Sequence, residues 1–322
     1  MISPDHLWLL LLALALDAAM GDPPWLWRYI PHPVVMLGAL ISLLERIGNR
    51  QDRSPAFRKG AGVAALIVLL LVAWSIGWLL EAAFNRLPFG WIGTVVVAAI
   101  LLAGRSLYDH VAAIASALER DGLPAARREI AKIVGRDPEA LDEPAIGRAA
   151  IESLAENYSD GVVVPAFWFA LLGLPGLLAY KAINTADSMI GHRSPRYRDF
   201  GWASARLDDL VNWPAARLSG FLVAIAAPLV GGSIGNSIRT MFAEASHHRS
   251  PNAGWPEAAM AAALGVALAG PRSYGGVKID DGYMNKSARP EVTPNDIRRS
   301  LLLYVGACAA LGILVTLSTA VV

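Results

Sequence analysis

The feature that most constrains this chain is a set of five long stretches without a charged residue. They are Gly60–Leu80, Leu87–Gly104, Gly161–Tyr180, Leu218–Ile238 and Ser300–Val322, each between 18 and 23 residues long. About 20 apolar residues in a helix cross the ~30 Å hydrocarbon core of a bilayer. Within lipid every backbone N–H and C=O must be satisfied inside the chain, which forces helices rather than an open sheet. The expected fold class is therefore all-α: a polytopic integral membrane helical bundle with cytoplasmic helical loops. Composition agrees, with 55% apolar and only 17% charged residues against about 25% charged in soluble domains. A net charge of +1 gives no global field for nucleic acid, so none is expected as a partner. The lone Cys308 excludes a disulfide framework and a cysteine-based zinc site.

The remaining segments refine this picture. Leu7–Leu16 is apolar but has no basic flank and no small-residue cleavage site, so it reads as a retained helix. Tyr29–Leu44 reads as a second short membrane segment. Gly161–Tyr180 carries Pro165, Gly173, Pro175 and Gly176 and reads as a broken, buried or re-entrant helix. Ala258–Gly270 is short for a span and is expected to pair with Leu218–Ile238 in a hairpin. Basic residues crowd before Gly60 and across residues 105–160, while the link between the first two long stretches has only Arg86. The positive-inside rule then puts residues 105–160 in the cytoplasm. Residues 181–217 and 271–299 are basic too, which suggests that 161–180 does not cross fully. The expected organisation is one integral membrane domain over residues 1–322 with a cytoplasmic helical insertion at about 105–160.

Chemistry concentrates after this insertion begins. In Ile151-Glu152-Ser153-Leu154-Ala155-Glu156-Asn157-Tyr158-Ser159-Asp160, Glu152 and Glu156 share a helix face and Asp160 continues it. Like charges at that spacing repel unless a cation lies between them. This favours a Mg²⁺ site, although a solvated helix end has the same spacing. Lys181, Asn184 and Asp187 recur at helical spacing just after an apolar stretch, where ionisable groups are costly and so point to function. Arg206, Asp208, Asp209 and Arg217 follow. The two aspartates are further metal candidates, and guanidinium forks suit phosphates. Arg136, in a Gly-Arg-Asp turn, is another anion candidate. Adjacent His247 and His248 do not share a helix face, which makes a metal site there weak. Ser273-Tyr274-Gly275-Gly276-Val277-Lys278 forms a Gly-rich turn with a lysine. A Walker-A loop is absent, excluding a P-loop ATPase. The residues alone indicate a membrane enzyme or transporter with a cytoplasm-facing site for Mg²⁺ and an anionic ligand.

Several long motifs go further. They are D-x-x-x-G-D-P-P…H-P-V-x-x-x-G at 17–38, E-S-L-A-E-N…D-G-V-V-x-P at 152–165 and Y-K-A-I-N-T-x-D at 180–187. Y-R-D-F-G-W-A-S-A-R-L-D-D…P-A-R at 197–217, S-P-N-A-G-W-P-E-A at 250–258 and Y-G-G-x-K at 274–278 complete the set. Together they resemble the adenosylcobinamide-phosphate synthases, the CobD/CbiB family of cobalamin biosynthesis. Asp280–Met284 departs from the familiar pattern. The resemblance implies a multi-pass enzyme of the cell inner membrane, and leaves a homo-oligomer open. Such an enzyme joins adenosylcobyric acid to (R)-1-amino-2-propanol O-phosphate, or to aminopropanol, with ATP and Mg²⁺. It implies Glu152, Glu156 and Asp160 in metal or base roles, with Asn157, Lys181 and Asp187 completing the catalytic set. Asp208 and Asp209 would bind metal. Arg136, Asn184, Arg206, Arg217 and Lys278 would meet substrate or phosphate, and Asn252, Trp255 and Tyr274 the corrinoid. The rival class is a corrinoid transporter or membrane signalling protein. A transport path would need polar groups along the spans, whereas the stretches 60–80 and 300–322 are bare of charge.

Overall fold

A computed structural model describes residues 4–22, 26–29, 31–135, 137–274, 277–279 and 282–321, apart from the side chains at 4, 26, 272–274 and 277–279. In chain order the helices are α1 (Pro4–Met20), α2 (Pro33–Gly48), α3 (Pro55–Phe84), α4 (Trp91–Leu101), α5 (Gly104–Arg120) and α6 (Leu123–Ile130). Next come α7 (Glu143–Tyr158), a π-helical turn (Ser159–Val163), α8 (Val164–Ile190) and α9 (Trp202–Ala226). After these lie α10 (Ile234–Glu244), α11 (Gly254–Leu264) and α12 (Pro294–Thr319). Between α11 and α12 lie four short strands, β1 (Leu268–Ala269), β2 (Arg272–Tyr274), β3 (Val277–Ile279) and β4 (Tyr283–Met284). Strand β1 pairs antiparallel with β4, and β2 with β3. Among the described residues five helical runs are long and apolar enough to cross a membrane: Pro55–Phe84, Trp91–Arg120, Glu143–Ile190, Trp202–Val230 and Pro294–Thr319. The chain is an all-α polytopic membrane protein, and each of the five uncharged stretches overlaps one of these runs.

The chain forms two compact units. The first comprises residues 1–103, 164–212 and 315–322; the second comprises 104–163 and 213–314. Residues 105–160, read from the sequence as an insertion, are therefore compact together with 213–314.

In the first unit the helix starts are written locally. His32 Nδ1 accepts the Val34 N–H at 3.2 Å ahead of Pro33, and Ser54 Oγ accepts the Phe57 N–H at 3.2 Å ahead of Pro55. Each such cap contributes about 1 kcal/mol. Close packing of α3 relies on glycine. A Cβ on Gly77 would lie 2.6 Å from the Pro175 backbone, and one on Gly62 would overlap the Phe200 carbonyl. Small residues of this kind let membrane helices approach closely. The expected break in 161–180 is present: two helical stretches within α8 meet at Gly173, whose backbone is not helical. Helix α8 runs through Pro175, with Gly173 at φ 62°. Glu81 accepts the freed Leu174 N–H at 3.0 Å, and His6 Nε2 meets the other Glu81 oxygen at 3.1 Å. A backbone donor released within an apolar helix thus finds a carboxylate.

In the second unit α7 is the central helix, buried along Ala149–Ala155. Asp142 caps it through the Ala145 N–H at 2.9 Å. Tyr158 donates to the Ala307 carbonyl at 2.9 Å and Tyr304 to that of Gly104 at 2.8 Å, their rings meeting edge to face. The stretch Leu218–Ile238 is not one helix: α9 stops at Ala226, and Gly231 at φ 74° turns the chain into α10. Helix α11 packs on α10 and ends at Gly265, φ 69°. Past Gly265 the chain leaves the helix, and Leu268–Ala269 pairs with β4. The expected helical hairpin is thus replaced by the α10–α11 pair and a strand.

Candidate functional site

Among the described residues, each unit gathers polar side chains that bear on function. The second unit holds a partly open cavity of about 360 Å³ lined by Glu152, Ser153 and Glu156 of α7, His248 and Arg249 of the α10–α11 loop, and Glu257 of α11. Glu152 and Glu156 present the shared face that their spacing predicts. Asp160 does not line the cavity. It lies in the π-helical turn, whose wider winding takes it off the register that an α-helix would have kept. Glu152 is buried, and its Oε1 accepts the Ala269 N–H at 2.8 Å. That bond holds Ala269 at φ 61°, a left-handed conformation that non-glycine residues rarely adopt. Asn157 folds back on its own helix, donating to the Ser153 carbonyl at 2.9 Å and Oγ at 3.2 Å. It braces Ser153, whose Oγ in turn donates to the Ile133 carbonyl at 3.3 Å.

Three other expected contact residues meet in this unit. The Arg217 guanidinium lies between the indoles of Trp213 and Trp255, 4.2 and 4.5 Å from their centres. It donates to Asn252 Oδ1 at 3.1 Å and to the Trp213 carbonyl at 2.6 Å. Arg217, Asn252 and Trp255 thus form one stacked cluster, and much of the donor capacity of Arg217 is spent within it. Arg136 lies outside the described residues, as do the side chains of Tyr274 and Lys278.

The first unit gathers acids around Asp208 on α9. Asp208 is 9% exposed. Its Oδ2 accepts from Asn212 Nδ2 at 2.8 Å, and Tyr180 donates to Asn212 Oδ1 at 3.1 Å. Its Oδ1 is buried with no hydrogen-bond partner among the described residues. Asn184 and Asp187 from α8 act on the same carboxylate, as does Asp209. Arg206 stands 3.7 Å from Asp209 and is well exposed, which makes it a loose ion pair. Lys181 is buried on α8 and is not without a partner. The metal candidates therefore divide, with Glu152, Glu156 and Asp160 in one unit and Asp208 and Asp209 in the other. Among the described residues no group of three or more His, Cys, Asp or Glu could hold a metal ion unaided. A Mg²⁺ here would need substrate oxygens, which is its usual habit.

Sequence reasoning weighed His248 only as a weak metal ligand and gave no site role to Arg249 or Glu257, which no spacing rule links to α7. It also left the Arg196–Gly201 segment without a role. That segment docks within the first unit. Arg196 makes a two-pronged bond to Glu45, at 3.0 and 3.1 Å, and Arg58 pairs with Asp199. The Glu45 carboxylate raises the Arg196 guanidinium further above its ordinary value. The i,i+2 neighbour Arg50 lowers the exposed Asp52 carboxyl.

The architecture and these two polar sites define an α-helical multi-pass membrane protein with an acidic, partly basic cavity. The model of the CobD/Cbib protein family matches residues 10–304. The chain is 51% identical to the cobalamin biosynthesis protein CobD of Rhizobium meliloti (strain 1021), over 96% of each chain. It is 49% identical to that of Brucella suis biovar 1, covering 91% of this chain and 90% of the relative. It is 46% identical to that of Rhodobacter capsulatus, over 96% of each. No solved structure matches. The chain belongs to the CobD/Cbib family, and its role lies in cobalamin biosynthesis.

Proposed function

We propose that this protein forms an amide between adenosylcobyric acid and (R)-1-amino-2-propanol O-phosphate, or free aminopropanol, using ATP at the cytoplasmic face of the inner membrane. The observation that carries the reading is the cavity of the second unit, where acidic side chains on α7 and α11 meet Arg249 in a chain of this family. A carboxylate accepts an amine only after one oxygen becomes a leaving group. In the proposed first step a carboxylate oxygen of the corrinoid attacks the γ-phosphorus of ATP, giving an acyl phosphate and ADP. The amine nitrogen then attacks the acyl carbon, phosphate departs, and the nitrogen gives up its proton to a base. The first step is governed by charge neutralisation around phosphoryl oxygens, and the second by a positioned base.

The donor set suits the expected ion. Carboxylate oxygens are hard ligands fit for Mg²⁺, and Asp208 carries a buried oxygen without a hydrogen-bond partner among the described residues. One of Glu152 and Glu156 would hold the ion and leave the other as base, with Asp208 and Asp209 as a further pair. When bound, Mg²⁺ supplies positive charge to the phosphates. Arg249 and the exposed Arg206 would bind phosphoryl oxygens. Glu156 or Glu152 would take the proton, with Asp160, Lys181, Asp187 and Asn184 in supporting roles. The test is purified protein incubated with ATP, Mg²⁺, adenosylcobyric acid and aminopropanol phosphate. Mass spectrometry should find the amide product together with ADP. Corrinoid uptake into vesicles without any amide would overturn the reading in favour of a transporter.

A further inference from the structure

We propose that the groove between α3, α8 and α9 in the first unit holds an acyl chain of an anionic phospholipid, whose phosphate is received by Lys59.

The apolar half of the argument is a gap where membrane helices would ordinarily close. A groove of about 400 Å³ is lined by Leu71 and Trp74 of α3, Gly176 and Ala179 of α8, and Leu207 and Val211 of α9. Among the described residues no charged side chain lines it. Small residues normally let neighbouring membrane helices meet. Here the nearest atoms to a Cβ on Gly176 all belong to α8 itself. The small residues therefore floor a gap instead of a helix contact. Leu71 is 63% and Trp74 44% exposed beside it. On a membrane-spanning unit such a surface is covered by hydrocarbon.

The polar half lies at one end of the same helices. Residues 45–59 and 191–202 together carry eight arginines and lysines against three acids. The two segments are joined by the Arg196–Glu45 and Arg58–Asp199 pairs, and by the Lys59 ammonium, which stands 3.7 Å from the centre of the Trp202 indole. All three acids are already engaged by arginine: Glu45 by Arg196, Asp199 by Arg58 and Asp52 by Arg50. The positive surplus is thus not neutralised within these segments. Lys59 is exposed and has no carboxylate partner among the described residues. Basic clusters at the end of a span attract anionic headgroups, and tryptophan favours the same interfacial level.

Depth joins the two halves. Along α3, Leu71 lies about 18 Å and Trp74 about 22 Å beyond Lys59, at ~1.5 Å per residue. Along α9, Leu207 lies about 8 Å and Val211 about 14 Å beyond Trp202. The groove therefore runs from roughly 8 to roughly 22 Å inward of the Lys59–Trp202 pair. A bilayer leaflet measures about 20–22 Å from headgroup surface to midplane. A phosphate held at Lys59 lays its acyl chain along the groove.

Native mass spectrometry of the full-length protein, released from a non-ionic detergent, tests this. The probes are phosphatidylglycerol and phosphatidylcholine with identical acyl chains. The first lipid retained by the wild type should be phosphatidylglycerol, preferred by about tenfold or more, since each cation near the surface contributes roughly a factor of five. Lys59→Gln, at an exposed position, should cut that preference about fivefold and leave phosphatidylcholine binding unchanged. Ala179→Phe fills the floor of the groove and should weaken both lipids alike. Equal retention of the two lipids by the wild type, or an unaltered preference in Lys59→Gln, overturns the proposal. Wild-type retention by Ala179→Phe with an unchanged melting temperature overturns the groove as the seat of the chain. Leu71→Phe, at a more exposed wall position, repeats that arm if Ala179→Phe does not fold. Light scattering tests the rival occupant. A dimer that Ala179→Phe splits, with no lipid retained, gives the groove to a second copy of this chain and overturns the proposal.

Discussion

The two polar regions solve the same problem, buried carboxylates, in opposite ways. In the second unit the acids surround an open volume, where the Ala269 N–H holds Glu152 and His248 stands 3.6 Å from Glu257. In the first unit Asp208 is packed among Asn184, Asp187, Asp209 and Asn212 on apolar helices. A hollow acidic site has room for an organic ligand. A filled one has room only for a proton or a small cation, and until one arrives the acids repel one another. The contrast assigns substrate handling to the cavity, and makes the Asp208 cluster a place where charge is stored and neutralised.

The largest expected effect lies in the cavity. Glu156→Gln keeps the shape and hydrogen-bonding size of the side chain but removes its charge. Product formation should fall by about 10²-fold or more, the range for losing a base or a phosphoryl-stabilising group, with the melting temperature unchanged. Near-normal turnover at saturating Mg²⁺ would move the chemistry out of the cavity and dissolve the contrast.

Asp208→Asn should do the reverse to stability. It removes repulsion with Asp187 and Asp209 while leaving an oxygen for the Asn212 amide, so the Mg²⁺-free protein should melt a few degrees higher, or about 1 kcal/mol. The stabilisation that Mg²⁺ gives the wild type should shrink in this variant. A lower melting temperature, with the Mg²⁺ effect intact, would show that the aspartate is a structural acceptor and not a store of charge.

How much of this was readable beforehand depended on whether a feature is local. The spans are local: each uncharged stretch carries its own length signal, and the His32 and Ser54 caps lie beside their prolines. The Glu152–Glu156 face is local too, being fixed by helical period. Asp160 broke the pattern because a π-turn, which no residue choice in Ser159–Val163 announces, changes the register. The placing of Glu257 and His248 was not legible because they reach the α7 carboxylates only through tertiary packing, roughly a hundred positions along the chain. Arg217 looked like a free phosphate ligand, and only the fold shows the two indoles that stack on it. Ala258–Gly270 was expected to form a hairpin with Leu218–Ile238, but Gly265 ends α11 in a left-handed cap and Leu268–Ala269 pairs with β4.

A third substitution probes the scaffold rather than either site. Glu81→Ala strands the Leu174 N–H at the Gly173 kink and removes the partner of His6. The loss should be about 1–3 kcal/mol, the cost of one unsatisfied buried donor, and thermal denaturation in micelles measures it. Activity at low temperature should hardly change, because the kink lies in neither polar region.

The smallest effect is expected where the two uses of arginine can be set side by side. Arg217 is stacked and hydrogen-bonded, whereas Arg206 has 63% of its side chain exposed and meets Asp209 only at 3.7 Å. Exposed ion pairs contribute between about 0 and 1 kcal/mol, and a long, single contact belongs at the bottom of that range. Arg206→Gln should therefore leave the melting temperature within about a degree of wild type. Arg217→Gln should lower it clearly, since it loses two cation–π faces at roughly 0.5–1 kcal/mol each as well as the bond to Asn252. If Arg206 serves phosphate, its signature lies elsewhere, in a several-fold rise in KM for ATP that grows as salt is lowered and the lost attraction is less screened. Unchanged KM at every ionic strength would leave Arg206 as surface charge alone, and the phosphates would then fall to the cations of the cavity.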